Sequence, residues 1–201
     1  MSVILPTSYF GSIAYFRELS KHNNILIEAK ENFPKQTYRN RCELVSADGI
    51  ISLSIPTKRI NGSKTKTEDI ILSDDENWRI RHWRSIKSCY QSAAYFNYYK
   101  SEIEELLFTN KETLLNFNTN ITNRIIKWLD INTEIQITKK FKPYSNDDLR
   151  VKLVDKNNFQ KINKSPYIQV FQAKNNFKTS LSILDAVMCE GPIARNLIVS
   201  K

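Results

Sequence analysis

A strand, a helix and a second strand fill the first thirty residues, and this unit constrains the fold more than any other feature. Ser2 to Leu5 is a short apolar run that ends at Pro6. Apolar residues then recur at helical spacing from Tyr9 to Leu19, and Asn24 to Ala29 predicts another buried strand. Two strands joined by one helix at this length are typical of a βαβ unit, so we expect a parallel pair.

Further along the chain the pattern predicts antiparallel and helical structure. Asp48-Gly49 separates two apolar runs, which is a strong hairpin signal. Residues 73–129 carry helical patterns, with capping signals at Ser73 to Glu76 and at Thr109 to Glu112. We therefore predict an α/β fold: a single domain over residues 1–201, with a mixed, partly parallel sheet, packed helices and a helical segment in the middle.

Three segments near the end complete the expected elements. Thr133 to Thr138 alternates between apolar and polar residues as a strand does, and Tyr167 to Phe171 is a further strand candidate. Ser180 to Cys189 is an amphipathic helix that Gly191-Pro192 should end. The polar stretch from Lys139 to Ser165 is either a surface excursion or a lid.

Composition excludes several functional classes. The chain has four glycines and none of the glycine-rich phosphate-binding, zinc-protease or nucleophile-elbow motifs. Its three cysteines are odd in number and form no CxxC pair, which supports neither a disulfide framework nor a zinc site. We predict no cofactor and no metal. The N-terminus lacks signal-peptide character and no window reaches about 18 apolar residues, so we expect a cytoplasmic protein without membrane insertion.

The net charge of +9 favours anionic partners. A small anionic metabolite such as a nucleotide sugar or an acyl donor is the expected ligand. Because the lysines are spread along the chain, the charge is equally consistent with a basic surface that has no dedicated partner. Nucleic acid is the weaker expectation, since it rests only on the charge and on aromatic residues that helical spacing assigns to the core.

Two histidines limit where acid–base chemistry at neutral pH can occur. His82 lies on the same helical track as Trp78 and Ile86. It is either a core histidine satisfied by a hydrogen bond or a pocket histidine that acts as acid or base. Lys87, on another face of this helix, is a candidate for substrate binding. His22 precedes a strand in a polar stretch and is predicted at the surface.

Other polar side chains lie where predicted elements begin or end. Tyr38, Arg39, Asn40 and Arg41 form the densest polar cluster beside a predicted strand, and an arginine binds carboxylate or phosphate with two parallel hydrogen bonds. The cluster either holds an anionic substrate or is solvated. Glu28 ends a buried strand, where α/β folds place ligands, unless it is simply paired with a surface lysine. Asp185 interrupts an apolar stripe and needs a partner, as an ion-pair residue or as a site residue.

Several segments resemble the WbqC-like protein family, in order and over nearly the whole chain. The resemblance is carried by PTSYFGSIAYFREL (Pro6 to Leu19), KQTYRNRCEL (Lys35 to Leu44) with SIPTK (Ser54 to Lys58), NWRIRHWRSIKSCYQSAAYF (Asn77 to Phe96) and PYIQVFQAKNNFKTSLSILDAVMCEGP (Pro166 to Pro192). Two departures are that Leu5 stands where many members have glutamine, and that residues 139–165 contain no glycine. The chain is therefore similar to the short branch of the family.

The resemblance implies a role in the biosynthesis of surface polysaccharide of the O-antigen or lipopolysaccharide type. The implied reaction is transfer of an acyl or aminoacyl (glycine) group to an amino-sugar intermediate. A non-catalytic metabolite-binding or accessory protein of the same pathway, which works with other pathway enzymes, is the alternative. Matched to the family's polar positions, the implied catalytic residues are His82 and Asp185, and the implied substrate-binding residues are Tyr9, Tyr15, Tyr38, Asn40, Arg41, Tyr90 and Gln169.

Overall fold

The computed structural model describes residues 3–34, 37–73, 77–110, 112–144, 148–153 and 167–199. Its central element is a three-stranded parallel sheet in the order β1 (Val3–Leu5), β2 (Asn24–Ile27) and β7 (Glu134–Ile137). Val3 pairs with Ile25, and Asn24 pairs with Glu134. The parallel βαβ pair expected from the sequence is confirmed.

The crossover helix α1 (Ile13–Leu19) is shorter than the apolar spacing from Tyr9 predicts. Phe10 adopts a positive φ of 39°, which a right-handed helix cannot contain. The helix begins after Ser12, whose hydroxyl accepts a hydrogen bond from the backbone N–H of Tyr15 at 3.1 Å. Tyr9 and Phe10 therefore lie in a turn between β1 and α1, with both side chains buried.

Two antiparallel ribbons accompany the parallel sheet. β3 (Arg41–Ser46) and β4 (Gly49–Ser54) form the predicted hairpin around the two-residue turn at Ala47 and Asp48. Gly49 has a φ of +116°, which only glycine adopts readily. β5 (Thr57–Lys58) pairs with β6 (Ile71–Leu72), and two short 3-10 turns, Gly62–Lys64 and Thr67–Asp69, lie between them. The predicted mixed, partly parallel α/β fold is confirmed.

Three helices form the expected central segment: α2 (Trp78–Tyr90), α3 (Phe96–Phe108) and α4 (Leu114–Trp128). Their starts differ from the predicted capping boxes. α2 begins after Asn77, which has left-handed backbone angles and no side-chain cap, and residues 74–76 lie outside the described part of the chain. α4 is capped by Thr113, whose hydroxyl accepts from the N–H of Asn116 at 3.3 Å.

The C-terminal part packs three short helices and a 3-10 segment against this core. They are α5 (Leu149–Lys152), α6 (Gln172–Asn175), α7 (Ile183–Glu190) and the 3-10 segment Gly191–Leu197. The prediction of a strand from Tyr167 to Phe171 is wrong, because the backbone forms no strand there. Most of the predicted stretch from Lys139 to Ser165 falls on residues 145–147 and 154–166, which are outside the described ranges.

Buried apolar side chains from every layer join one core cluster. At its centre the Phe117 ring packs edge-on against Trp78, with 5.6 Å between ring centroids, and stacks on Tyr9 at 6.2 Å. Within the described residues, no helix has both the length and the apolar character needed to cross a membrane.

Gly191 joins α7 to the last 3-10 segment, and its φ of +60° and its neighbours both exclude a side chain. A Cβ there would lie 2.4 Å from the ring of Tyr95. We expect Gly191→Ala to lower the free energy of unfolding by about 2–4 kcal/mol, as overpacking adds to backbone strain. The matched control is Gly62→Ala, where φ is +49° but no atom lies within 4 Å, and about 1 kcal/mol is expected. The free energy of unfolding of both variants is measured by urea denaturation. Equal losses for Gly191→Ala and Gly62→Ala would show that the Tyr95 ring adds nothing to the cost at Gly191.

Candidate functional site

An open pocket of about 570 Å³ lies between the β3–β4 hairpin and the segment 177–180. We call it the hairpin pocket. Its lining residues are Tyr38, Glu43, Ile50, Ser52, Phe177, Lys178, Thr179 and Ser180. They include a carboxylate from Glu43, an ammonium group from Lys178, the hydroxyls of Ser52 and Thr179, and a half-buried ring from Phe177. The hydroxyl oxygens of Tyr38 and Ser180 are themselves buried.

The pleat of the hairpin brings these groups to one face. Glu43 lies directly opposite Ser52, and Arg41 lies opposite Ser54 two pairs further along. Because side chains alternate between faces along a strand, all four share the pocket side of the hairpin. The intervening Cys42 is buried on the other side. The Nε of Arg41 donates to the hydroxyl of Ser54 at 3.1 Å, so Arg41 lies beside the pocket rim.

The opposite wall is held by the side-chain amide of Gln169. Its Nε2 donates to the carbonyl of Lys178 at 2.8 Å, and its Oε1 accepts from the N–H of Lys178 at 2.8 Å. The amide thus pairs with the backbone of Lys178 as a neighbouring strand would. Asn176 and Ser180, on either side of this point, have positive φ angles of 57° and 66°. The wall therefore keeps an irregular shape that depends on Gln169.

Asp185 is fully buried directly behind this wall. Its Oδ2 accepts from Gln169 Nε2 at 2.9 Å and from the hydroxyl of Tyr167. Burial raises the pKa of Asp185, and the nearby hydroxyls of Tyr167 and Tyr90 and the amide of Gln169 oppose that rise without cancelling it. Among the described residues, Asp185 Oδ1 and the Tyr90 hydroxyl each lack a hydrogen-bond partner of normal geometry. The structure thus brings together three sequence-predicted residues: Tyr90, Gln169 and Asp185.

Tyr167 completes this group, although the sequence analysis did not include it. It contributes the hydroxyl bonded to Asp185, and the Gln169 amide also donates to that hydroxyl at 3.2 Å. The signal that points to it is the i, i+2 spacing of Tyr167 and Gln169, which places both on one side of an extended segment. Burial and the adjacent carboxylate of Asp185 raise the pKa of Tyr167, so its hydroxyl stays protonated and donates.

His82 and Tyr9 form a separate pair behind the hairpin. The Tyr9 hydroxyl lies 2.8 Å from His82 Nδ1, and the imidazole also bonds the backbone of Ser54. Burial lowers the pKa of His82 to about 4 and raises that of Tyr9, so Tyr9 donates to a neutral imidazole at neutral pH. Only 5% of His82 is exposed, and it does not line the hairpin pocket. Through Ser54, however, it supports the strand that faces Arg41.

The remaining predicted residues lie in different places. Tyr38 lines the hairpin pocket, and burial together with the adjacent Glu43 raises its pKa. Asn40 extends the hairpin by donating from Nδ2 to the carbonyl of Ile55 at 3.0 Å. Tyr15 is buried and donates its hydroxyl to the carbonyl of Pro6 at 3.0 Å. Lys87 is exposed on α2. Of these four, only Tyr38 lies at the hairpin pocket.

Residues 7–168 match the family model described as the WbqC-like protein family. The chain belongs to the WbqC-like family. No curated protein and no solved structure matches it. The matched range of this WbqC-like chain contains the β3–β4 hairpin, His82 and Glu28, and it ends before Gln169 and the pocket wall at Lys178. Among the described residues, no three His, Cys, Asp or Glu side chains converge as metal ligands.

Glu28 lies at the carboxyl end of β2, as expected, and has no exposed surface. Its partner is Arg150, whose NH1 lies 3.1 Å from Oε2, rather than a surface lysine. Its Oε1 accepts from the hydroxyl of Thr138 at 2.8 Å and from the N–H of Lys30 at 2.7 Å. In this WbqC-like fold the edge where parallel strands often bind ligands is thus closed by a buried ion pair.

A second buried ion pair, absent from the sequence analysis, continues from the first. Arg39 NH2 lies 2.7 Å from Oε1 of Glu31, and both side chains are almost fully buried. Tyr144 connects the two pairs: its hydroxyl donates to Glu31 Oε2 at 2.7 Å, and the guanidinium of Arg150 lies 4.3 Å from the centroid of its ring. These five residues, Glu28, Glu31, Arg39, Tyr144 and Arg150, form what we call the buried ionic chain.

The low pKa of His82 predicts how stability depends on pH. An unfolded chain binds a proton at this histidine below about pH 6.5, whereas the folded protein binds it only below a pKa of about 4. Within that window the unfolded state holds more protons, so stability falls as the pH falls, by about 1.4 kcal/mol for each unit of pKa difference. We expect His82→Gln to lose less stability than the wild type between pH 7 and pH 5 in urea denaturation. If the wild type and His82→Gln lost the same stability between pH 7 and pH 5, His82 would not be desolvated in the folded protein.

The buried ionic chain predicts a large effect of removing one charge. Arg39→Met leaves the Glu31 carboxylate buried without its ion-pair partner, which we expect to lower the free energy of unfolding by about 3–5 kcal/mol. The double variant Glu31→Gln/Arg39→Met should recover part of that loss. As a control, Lys21→Met removes an exposed ion pair with Glu18, for which less than about 1 kcal/mol is expected. Similar losses for Arg39→Met and Lys21→Met would contradict this account.

Proposed function

We propose that this protein is an enzyme of surface-polysaccharide biosynthesis that transfers an acyl or aminoacyl group to an amino sugar bound in the hairpin pocket. The proposal places it in the cytoplasm, where activated sugars and acyl donors are found. The observation that carries it is the gathering of Glu43, Lys178 and the hydroxyls of Ser52 and Thr179 around one open space. Membership of the WbqC-like family agrees with it.

The pocket groups match the chemistry of a sugar. A sugar hydroxyl both donates and accepts, and the lining side chains include a carboxylate acceptor, an ammonium donor and hydroxyls that do both. The ring of Phe177 offers an apolar surface for the C–H face of a pyranose. The volume of about 570 Å³ is within the range of small-molecule sites and accommodates a sugar with a linked anionic group.

Two cations serve the anionic part of such a ligand. Lys178 lines the pocket, and Arg41 lies beside its rim on the same face of the hairpin as Glu43. A phosphate of a nucleotide sugar, or the oxyanion that develops on an acyl donor, is stabilised by positioned cations of this kind. The excess of nine positive charges over the whole chain favours the approach of such ligands.

In the proposed reaction the amine nitrogen of the sugar attacks the carbonyl carbon of an activated acyl or aminoacyl donor. A C–N bond forms, and the bond between the carbonyl carbon and the oxygen or sulfur of the leaving group breaks. The amine proton passes to the carboxylate of Glu43 and then to the leaving group. Glu43 takes the base role in this scheme because it lines the pocket, whereas His82 supports the hairpin from behind. Asp185 and Gln169 position the wall that carries Lys178.

A protein that binds the metabolite without turnover is the second candidate. The burial of both His82 and Asp185, the catalytic residues implied by the family resemblance, favours it. It differs from the first candidate in predicting ligand binding without product. Glu43→Gln separates the two, because the amide oxygen still accepts a hydrogen bond from the sugar whereas the amide cannot take up the amine proton.

The direct test is a thermal-shift screen against UDP-linked amino sugars, with UDP and ADP as comparisons. A ligand at about 100 times its Kd stabilises the folded protein by about 2.7 kcal/mol, which is a visible shift. We expect Lys178→Met to weaken the binding of a UDP-linked amino sugar about tenfold or more, because a charge-assisted hydrogen bond is lost. Lys100→Met, an exposed lysine on α3, is the matched control and should bind normally.

Turnover is then measured by mass spectrometry with the bound amino sugar and acyl-CoA thioesters or aminoacyl donors. Glu43→Gln should bind the sugar but form no amide product, and His82→Gln and Arg41→Ala, assayed beside it, report on the sequence-derived assignments. Binding without any product in the wild type supports the second candidate. Failure of every amino sugar to bind, or equal binding by Lys178→Met and Lys100→Met, contradicts the proposed site.

A further inference from the structure

A second pocket, of about 390 Å³, lies where α3 and α4 meet the start of the last 3-10 segment, and it shares no lining residue with the hairpin pocket. We call it the α3–α4 pocket. The residues that matter for its chemistry are Tyr98 and Glu102 on α3 and Arg124, Lys127 and Trp128 on α4. Residues three or four apart on a helix lie on one face, so Tyr98 and Glu102 are neighbours, as are Arg124 and Trp128.

The carboxylate of Glu102 is held in a fixed position. Its Oε2 accepts from Arg124 NH1 at 2.6 Å and from Trp128 Nε1 at 3.0 Å. Burial would raise the pKa of Glu102, but these hydrogen bonds outweigh it and the pKa is lowered, so the group is ionised at neutral pH. Among the described residues, no group bonds its other oxygen, Oε1. An oriented acceptor therefore borders the pocket next to the donors of Arg124 and Lys127.

Aromatic rings form the apolar side of the pocket. Tyr98 is 71% exposed, and its ring meets the buried Tyr99 edge-on with 4.7 Å between centroids. Tyr99 packs in turn on Trp128 at 4.8 Å. The Tyr98 ring therefore contacts Tyr99 while most of its surface is open to solvent. An exposed aromatic ring is a platform for a ligand with an apolar face.

The net charge around the pocket decides whether a phosphate or a neutral ligand fits it better. Arg124 is already engaged by Glu102 and, at 3.5 Å, by Glu105, so the four charged residues Glu102, Glu105, Arg124 and Lys127 sum to zero. The carboxylates of Glu102 and Glu105 compete with a phosphate for the N–H groups of Arg124 and repel its negative charge. A neutral polyhydroxylated ligand instead uses both the free carboxylate oxygen as acceptor and the cationic N–H groups as donors.

We propose that the α3–α4 pocket binds a neutral sugar residue of an oligosaccharide. The C–H face of the pyranose lies on the ring of Tyr98, one hydroxyl donates to Glu102 Oε1, and adjacent hydroxyls accept from Arg124 and Lys127. This inference goes beyond the proposed function and does not depend on it, since no residue of the hairpin pocket takes part. It gives the protein a surface contact for one residue of a longer saccharide.

The test is saturation-transfer NMR on the full chain with three neutral trisaccharides: maltotriose, triacetylchitotriose and mannotriose. We expect at least one to bind at concentrations up to about 10 mM, the range of weak single-site contacts. Tyr98→Ala and Glu102→Gln should each lower that affinity about tenfold, through loss of the stacked ring and of the charged acceptor. The matched controls on the same helix, Phe108→Ala and Glu104→Gln, should leave it unchanged.

Tyr98 is largely exposed and Glu102→Gln preserves side-chain shape, so both variants should fold, and unchanged thermal midpoints confirm this. Lys178→Met should bind the trisaccharide normally, which separates this site from the hairpin pocket. The proposal is overturned if no trisaccharide binds, or if Tyr98→Ala and Glu102→Gln bind as well as their controls. It is also overturned if UDP alone binds in a Tyr98-dependent manner, because the pocket would then be a nucleotide site.

Discussion

The buried ion pair between Glu28 and Arg150 is the contact on which the arrangement of the sheet edge depends. It joins the end of β2 to α5, while Thr138, directly after β7, donates to the same carboxylate. Taking two charges out of water is costly, so such a pair persists only when its remaining hydrogen-bonding groups are satisfied. Arg150 meets this condition by also bonding Asp148 and the carbonyls of Lys142 and Pro143.

The consequence is that the carboxyl edge of the parallel sheet is occupied by the protein itself. The buried ionic chain extends from Glu28 to Glu31 and Arg39 through Tyr144, and fills the place where α/β folds commonly bind a ligand. Arg39 precedes β3, so the same chain of contacts positions the start of the hairpin. The hairpin pocket lies along the face of that hairpin that carries Glu43 and Ser52.

The hairpin pocket depends on a second buried polar group, around Asp185. A carboxylate in the first turn of a helix is favoured by the helix dipole, and Ser182 caps the same helix end. The carboxylate orients Gln169, and Gln169 holds the backbone of Lys178 in the shape that faces Glu43 and Ser52. A substitution at Asp185 is thus felt in the pocket although no atom of Asp185 lines it. This separation explains how a buried residue can matter for a site that it does not touch.

Local patterns determined much of the fold: the βαβ unit, the Asp48-Gly49 hairpin, and the helices whose apolar residues recur every three or four positions. Each of these is a short-range property, since periodicity and turn geometry are set by neighbouring residues. The predicted helix starts were less accurate, because α4 is capped by Thr113 and not by Thr109. The sequence also indicated that Asp185 has a partner, because a charged residue within an apolar stripe needs one.

Only the tertiary structure decided which polar residues meet. The partners in the buried ionic chain are separated by up to 122 positions, and no local pattern relates Glu28 to Arg150. The same holds for Tyr9 and His82, which are 73 positions apart and whose contact holds a buried, neutral imidazole behind the hairpin. Burial and long-range hydrogen bonding set these roles, and both arise only when distant segments pack. The sequence by itself therefore determined the elements and the polar candidates, and packing decided which of them face solvent.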